Sequence, residues 1–183
     1  MKPNLKTTFG RQFIRLIARS VMECANNTEP KHMIFMYGTL KKGQPNHTYL
    51  TDVQLGRADF VTSARTVECW PLVIASKFNI PFLIKKEGMG KRIYGELYRV
   101  DAKMLEFLDD FEGHPTLYIR SPVQVESLSD HGTSEVLECL TYMLVNYEPD
   151  LLKEEMLENY DSKNRPYDKE NDDLKEASKI YDS

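Results

Sequence analysis

Short apolar runs separated by turn residues recur along the middle of the chain, and they predict β-strands. The runs cover residues 33–38, 67–75, 80–85, 92–100, 117–126 and 135–146. Residues 76–79 and 129–134 are short enough to join neighbouring strands as hairpins. The run 92–100 carries bulky side chains on both faces, because Ile93 and Leu97 alternate with Tyr94 and Tyr98. The pattern therefore predicts a mostly antiparallel sheet that closes, or nearly closes, into a barrel.

Three places depart from this regular pattern. Residues 50–65 fit a short helix as well as an irregular turn, so the pattern leaves both open. Gly95 interrupts a predicted strand, which indicates a bulge or a close approach of another backbone. Residues 150–159 have apolar positions at helical spacing and predict a further short helix.

One segment among the strands has clear helical spacing, with an apolar stripe at Met104, Leu105, Leu108 and Phe111. Asp101 is placed to cap the first turn, and Gly113 suits a left-handed C-terminal cap. Glu112 then falls on the last turn, where the negative end of the helix dipole and the nearby Asp109 and Asp110 raise the expected pKa of its carboxyl. Asp109 and Asp110 themselves are expected to be capping or solvated groups. Glu112 is therefore the candidate general base.

The stretch 33–47 runs from an apolar strand straight into a loop of small residues. Gly38 can take positive φ, and the following backbone N–H groups can converge on a carboxylate or phosphate as a nest. Gly38 and Gly43 have P-loop spacing, but Gln44 and Pro45 stand where that motif requires Lys and then Ser or Thr. The loop therefore predicts an anion cradle other than an ATP site, with a plain β-turn as the alternative.

The loop sequence Tyr37-Gly38-Thr39-Leu40, with residues 41–47 after it, resembles the γ-glutamylamine cyclotransferases of the AIG2-like family. Residues 70–75, 79–82, 94–98 and 108–112 match that family's pattern in the same order. The resemblance covers about residues 33–147, with a weaker echo at residues 159–162 and 164–167. It implies an α+β fold, namely a small mixed, mostly antiparallel β-barrel with one main helix packed on it.

The resemblance also implies an activity, the conversion of γ-glutamyl amines such as γ-glutamyl-ε-lysine to 5-oxoproline and a free amine. In this reading Glu112 is the catalytic acid and base, and Tyr37, Gly38, Thr39 and Leu40 bind the substrate. No metal or organic cofactor is implied. A cyclotransferase acting on glutathione or γ-glutamyl amino acids, and a non-catalytic module binding a small anion or a protein, remain as alternatives. Whether Tyr160 or Tyr167 closes over the site is left open.

Composition and charge divide the 183 residues into three parts. Residues 1–32 hold six Lys or Arg and two Glu, and residues 168–183 form an acidic tail. The predicted domain therefore spans residues 33–167. The basic segment fits either a presequence for mitochondria or an extension without an address.

The expected partner is a small γ-glutamyl substrate. The basic residues gather in the leader instead of forming a patch interleaved with aromatic residues, so nucleic acid is not an expected partner. No apolar run reaches the roughly 20 residues that span a bilayer. Three cysteines without paired spacing favour a reducing compartment, the cytoplasm. The sequence does not determine the oligomeric state.

Overall fold

The computed structural model describes residues 29–75, 79–128 and 134–164. Most of the basic extension, the acidic tail, Tyr167 and the tips of the two predicted hairpins lie outside the described residues. The family echo at residues 164–167 is likewise described only at its first residue.

Seven strands and two helices form the described part. The strands are β1 His32–Met36, β2 Ala58–Trp70, β3 Leu72–Ala75, β4 Ile80–Leu83, β5 Lys91–Val100, β6 Tyr118–Ser127 and β7 Val136–Leu144. The helices are α1 Thr48–Thr51 and α2 Ala102–Phe111, and a 3-10 turn follows at Pro149–Lys153. Within the described ranges, neither helix is long and apolar enough to cross a bilayer.

Five of the strands close into a barrel in the order β1-β5-β2-β6-β7. The barrel closes where β1 runs parallel to β7, with Ile34 opposite Leu140, and every other neighbouring pair is antiparallel. Strands β3 and β4 form a separate hairpin, in which Leu72 pairs with Leu83. The predicted fold, a mixed and mostly antiparallel barrel with one main helix, is confirmed.

The region 50–65 and the predicted strand 67–75 need correction. After α1 and a short turn, β2 begins at Ala58 and runs to Trp70, and a second strand starts at Leu72. Pro71 separates the two strands, since proline has no N–H to donate to a ladder. At the start of β2 the apolar residues Phe60 and Val61 are 54% and 37% exposed. They therefore do not form the alternating buried face by which a strand is recognised in sequence. The start of β2 is a strand because its backbone pairs with β5.

Residues 150–159 do not form the predicted helix. The 3-10 turn ends at Lys153, and Leu157 instead bridges Leu72 of β3, its N–H donating to the Leu72 carbonyl at 2.7 Å. Leu157 thus has helical spacing in the sequence but pairs with the edge of a sheet, a contact that local spacing cannot reveal.

The core consists of two clusters on opposite faces of β1. Ile34 and Met36 pack with Met104 and Leu108 of α2, so the helix is held against the barrel by its apolar stripe. Phe35 points the other way and packs with other buried strand side chains, among them Ala64, Ile93, Leu97, Val125 and Met143.

Gly95 of β5 lies against β1. A side chain at this position would collide with the Met36 carbonyl and the Phe35 ring, so the predicted close approach is confirmed. The residue directly before the loop is thereby held against the barrel wall.

Candidate functional site

The five residues predicted to form the site line one pocket. Glu112 reaches it from the end of α2, and Tyr37, Gly38, Thr39 and Leu40 reach it from the loop after β1. The pocket has a volume of about 550 Å³ when its solvent-open mouth is included. Its other lining residues are Met36, Asn46, Ile80, Pro81, Phe111, Tyr118 and Tyr142. Two segments that are about 70 residues apart in sequence are therefore neighbours in space.

The helix end places Glu112 as the sequence predicts. Asp101 caps α2 by accepting a hydrogen bond from the Met104 N–H at 2.8 Å. Glu112 is the C-terminal cap, and its N–H donates to the carbonyl of Leu108 at 2.9 Å. Gly113 follows in the left-handed conformation with φ of 63°. The chain therefore turns away directly after Glu112, which keeps its side chain at the pocket.

Asp109 does not behave as a solvated group. Its carboxylate accepts hydrogen bonds from Arg120 at 2.8 and 2.6 Å and from the Tyr142 hydroxyl at 2.7 Å. The ion pair is three-quarters buried, with both side chains 25% exposed. Asp109 thus holds Tyr142 in place on the pocket wall, one turn of helix before Glu112.

The loop that lines the pocket has unpaired backbone donors. Within residues 29–75, 79–128 and 134–164, nothing accepts a hydrogen bond from the backbone N–H of Gly38, Thr39 or Leu40. The next residues close the turn, since the Lys41 N–H donates to the Gly38 carbonyl at 3.2 Å. Such adjacent free amides can bind an anion, as a nest does.

Gly38 does not take the positive φ that a glycine permits. Gly38 is not among the glycines with φ in the left-handed region. A Cβ at this position would lie 3.0 Å from Cγ of Pro81, so the close packing of the β4 proline accounts for the glycine. The sequence signal was the same, a glycine after a strand, but its physical reason is different.

The negative charge of Glu112 affects the pKa values of two tyrosines that line the pocket. Burial raises the pKa of Tyr37 well above 10, and the negative charge of Glu112 raises it further. Burial also raises the pKa of Tyr142, with smaller contributions from its bond to Asp109 and from the Glu112 charge. Both hydroxyls therefore stay protonated at neutral pH, and the pocket carries no second anion from tyrosine.

The pocket includes polar residues that the sequence reasoning did not predict as site residues, namely Asn46, Tyr118 and Tyr142. The two tyrosines occupy strand positions and look like ordinary core residues in sequence. Asn46 follows Pro45 and looks like a turn residue. Only its position in the family-like segment 41–47 could have signalled a role.

The segment after the last strand supports the loop from behind. Residues 41–44, here called the support half, contact residues 159–162. The Lys41 ammonium donates to Asn159 Oδ1 at 2.5 Å and to the Tyr160 carbonyl at 2.9 Å. Gln44 donates to Asp161 at 3.3 Å and accepts from the N–H of residue 162 at 2.9 Å. Tyr160 is fully buried in the core and does not line the pocket, so it anchors this support and is not a cover for the site.

No group of three or more His, Cys, Asp or Glu suited to hold a metal ion occurs among the described residues. The pocket itself offers one acidic side chain, Glu112. The chemistry of the site is thus that of a carboxylate facing backbone amides.

Comparison with known proteins agrees with this geometry. Residues 34–164 match the family model described as gamma-glutamyl cyclotransferase, AIG2-like. The chain is 52% identical over 130 residues to gamma-glutamylaminecyclotransferase B of Danio rerio, covering 71% of this chain and 68% of that protein. It is 42% identical over 137 residues to gamma-glutamylaminecyclotransferase of Homo sapiens, covering 71% and 90%.

A solved structure shows the same fold. The crystal structure of an AIG2-like protein from Mus musculus superposes with a TM-score of 0.70 at 42% identity, covering 75% of this chain and 97% of the mouse chain. The family model spans well over half of the sequence, and the barrel, the helix end and the loop all lie inside it. The chain therefore belongs to the AIG2-like gamma-glutamyl cyclotransferase family.

Proposed function

We propose that this protein is a γ-glutamylamine cyclotransferase, which converts γ-glutamyl amines such as γ-glutamyl-ε-lysine to 5-oxoproline and the free amine. The observation that carries the proposal is the shared pocket of Glu112 and residues 37–40. The names of the relatives from Danio rerio and Homo sapiens support the same activity.

Glu112 acts as the general base in this proposal. Its carboxylate takes a proton from the substrate's α-ammonium group, and the freed nitrogen attacks the γ-carbonyl carbon to close a five-membered lactam. When the tetrahedral intermediate collapses, the bond from the γ-carbon to the leaving nitrogen breaks. Glu112 gives its proton to that nitrogen, and the second proton that the attacking nitrogen loses on becoming the lactam N–H passes through solvent to the released amine. The products are therefore 5-oxoproline and a protonated amine.

The loop amides bind the substrate's α-carboxylate. Gly38, Thr39 and Leu40 line the pocket, and their N–H groups, which have no acceptor among the described residues, are donors that suit an anion. Holding the glutamyl chain in a folded conformer brings its nitrogen close to its own γ-carbonyl. Because the reaction is intramolecular, such positioning can supply up to about 7–11 kcal/mol of rate enhancement.

The test is turnover by the purified full chain. Incubation with γ-glutamyl-ε-lysine is expected to release lysine and 5-oxoproline. Glu112→Gln should reduce kcat by roughly 10²–10⁴-fold, the usual contribution of general acid and base catalysis. Glu106→Gln is the matched control, since Glu106 is an exposed residue of the same helix and should keep full activity.

The alternatives give different outcomes in the same assay. Preferred cleavage of glutathione or γ-glutamyl amino acids would show that the protein is a cyclotransferase for those substrates instead of γ-glutamyl amines. No turnover of any γ-glutamyl compound, with retained binding of 5-oxoproline, would identify a non-catalytic binding module.

We also propose that the enzyme works in the reducing cytoplasm as one domain over residues 33–167. The unpaired Cys69 and Cys139 support the compartment, and the family match over residues 34–164 supports the domain. A fusion of residues 1–32 to a fluorescent protein is expected to stay diffuse in the cytosol. Import of that fusion into mitochondria would overturn the cytoplasmic location.

A further inference from the structure

Asn46 is a buried polar residue on the pocket wall, with 1% of its surface exposed. Two hydrogen bonds tie it across the loop to Thr39. Its backbone N–H donates to the Thr39 carbonyl at 3.0 Å, and its side-chain Nδ2 donates to Thr39 Oγ1 at 3.2 Å. Because both ends of the residue are held by the same neighbour, the Asn46 amide has a defined orientation.

The two bonds to Thr39 do not use the side-chain oxygen of Asn46. Asn46 Oδ1 is buried and has no hydrogen-bond partner among the described residues. An unsatisfied buried acceptor destabilises a fold, because it has lost its hydrogen bonds to water and gained none in return. A ligand N–H that reaches Oδ1 from the pocket would remove this cost.

The neighbouring groups on the loop are donors. The N–H groups of residues 38–40 are unpaired among the described residues, and the Thr39 hydroxyl, whose oxygen accepts from Asn46, keeps its own hydrogen for donation. The α-carbon of a γ-glutamyl unit carries a carboxylate, which needs donors, and an ammonium group, which needs an acceptor. The combination of Thr39 and Asn46 offers both.

We propose that Asn46 Oδ1 accepts a hydrogen bond from the α-nitrogen of the substrate, and that Asn46 thereby selects the γ-glutamyl head group. The proposal rests on the cyclotransferase function proposed above. Glu112 removes one proton from this nitrogen while Asn46 holds another, which directs the freed lone pair toward the γ-carbonyl. The same bond serves the ring N–H of 5-oxoproline once the lactam has closed.

Two product analogues test this bond without requiring turnover. The ligands are 5-oxoproline and 5-oxotetrahydrofuran-2-carboxylate, in which a ring oxygen replaces the ring N–H. Calorimetry on the full chain is expected to give at least about tenfold tighter binding of the lactam, the effect of one hydrogen bond of about 1.4 kcal/mol. In the lactone, the ring oxygen would face Asn46 Oδ1, and two acceptors cannot form a hydrogen bond.

The variants assign the preference to Asn46. Asn46→Ala should bring the affinity ratio close to one by weakening 5-oxoproline alone. Asn46→Asp keeps an acceptor, so it should weaken both anionic ligands by charge repulsion and retain the preference for the lactam. An unchanged preference in a folded Asn46→Ala protein would overturn the proposal.

A crystal structure of the unaltered protein with 5-oxoproline provides a test that does not depend on variant folding. The ring nitrogen is expected within hydrogen-bond distance of Asn46 Oδ1, and a ring nitrogen bonded to another acceptor overturns the proposal. If neither ligand binds the unaltered protein, the proposed function fails as well. If both bind equally well, only the role of Asn46 fails.

Discussion

The two halves of the loop after β1 are treated differently by the rest of the protein. Residues 37–40, here called the pocket half, line the same pocket as Glu112, and the N–H groups of residues 38–40 have no acceptor within the part of the chain that the structure describes. The support half, residues 41–44, has its polar groups bonded to distant parts of the chain. Lys41 and Gln44 contact residues 159–162, and the Lys42 N–H donates to Glu96 at 2.8 Å.

This difference explains how unpaired donors are kept in place. Free backbone amides gain nothing from the fold until a ligand arrives, so their position must be held by neighbours. The support half supplies that restraint through a buried cation and a glutamine, on the side away from the pocket. Binding and support are thus separated along eight consecutive residues.

A matched pair of glycine variants tests this separation. Gly38→Ala places a methyl group 3.0 Å from Cγ of Pro81 on the pocket wall, without requiring left-handed backbone. The loop or β4 must shift by a few tenths of an ångström, and we expect a loss of kcat/KM of up to about 10²-fold, the cost of a misplacement of about 1 Å in an active site. Thermal unfolding should change little. Full activity of Gly38→Ala would show that the pocket half tolerates displacement.

Lys41→Met tests the support half directly. The variant keeps the buried aliphatic stem but leaves the Asn159 oxygen and the Tyr160 carbonyl without their donor. We expect the free energy of unfolding to fall by about 1–3 kcal/mol and 5-oxoproline to bind more weakly. Urea unfolding and calorimetry measure the two effects. Lys42→Met is the control, because the Lys42 side chain is exposed and its backbone N–H makes the bond to Glu96.

Gly43→Ala is the partner of the Gly38 variant. Gly43 has φ of 78°, and a methyl group there meets no atom within 4 Å. The expected cost is the backbone strain of a left-handed alanine, about 1 kcal/mol of stability. Affinity for 5-oxoproline should be unchanged, as checked by chemical unfolding and calorimetry. A larger loss of affinity than of stability would contradict the division of the loop into two halves.

The smallest expected effect is a pH dependence that belongs to the support half. Burial lowers the pKa of Lys41 from 10.5 to about 8, against the opposing charges of Glu96 and Asp161. Between these values the unfolded chain binds more protons than the folded one, so stability should rise with pH. We expect a gain of up to about 1 kcal/mol between pH 8 and 9. Urea unfolding should show this gain in the unaltered protein and in Lys42→Met, and lose it in Lys41→Met.

The sequence predicted most of the barrel and one strand of the separate hairpin, because these strands have an apolar pattern of their own. β1, β4, β5, β6 and β7 all lie within or close to the predicted runs. The first half of β2 could not be found in this way, since Phe60 and Val61 are exposed and the strand exists through its pairing with β5. Leu157 was assigned to a helix by its spacing, yet it joins the edge of β3.

The candidate site likewise has parts that the local sequence predicts and parts that it does not. The cap at Asp101, the glycine at position 113 and the apolar stripe between them place Glu112 at a helix end by local interactions alone. The strand followed by a glycine likewise places the loop. Asn46, Tyr118 and Tyr142 escaped notice because nothing in a turn or a strand pattern distinguishes a pocket wall from core.

The sequence by itself determined the local parts, namely the strands with their own apolar pattern, the helix that ends at Glu112 and the turn that contains residues 37–40. Their meeting in one pocket was decided only by the closure of the barrel, in which β1 lies between β5 and β7. The support of the loop also required the tertiary structure, since Lys41 and Asn159 are 118 residues apart. Turns and caps depend on neighbouring residues, whereas a buried cation and its acceptors meet only after the chain has folded.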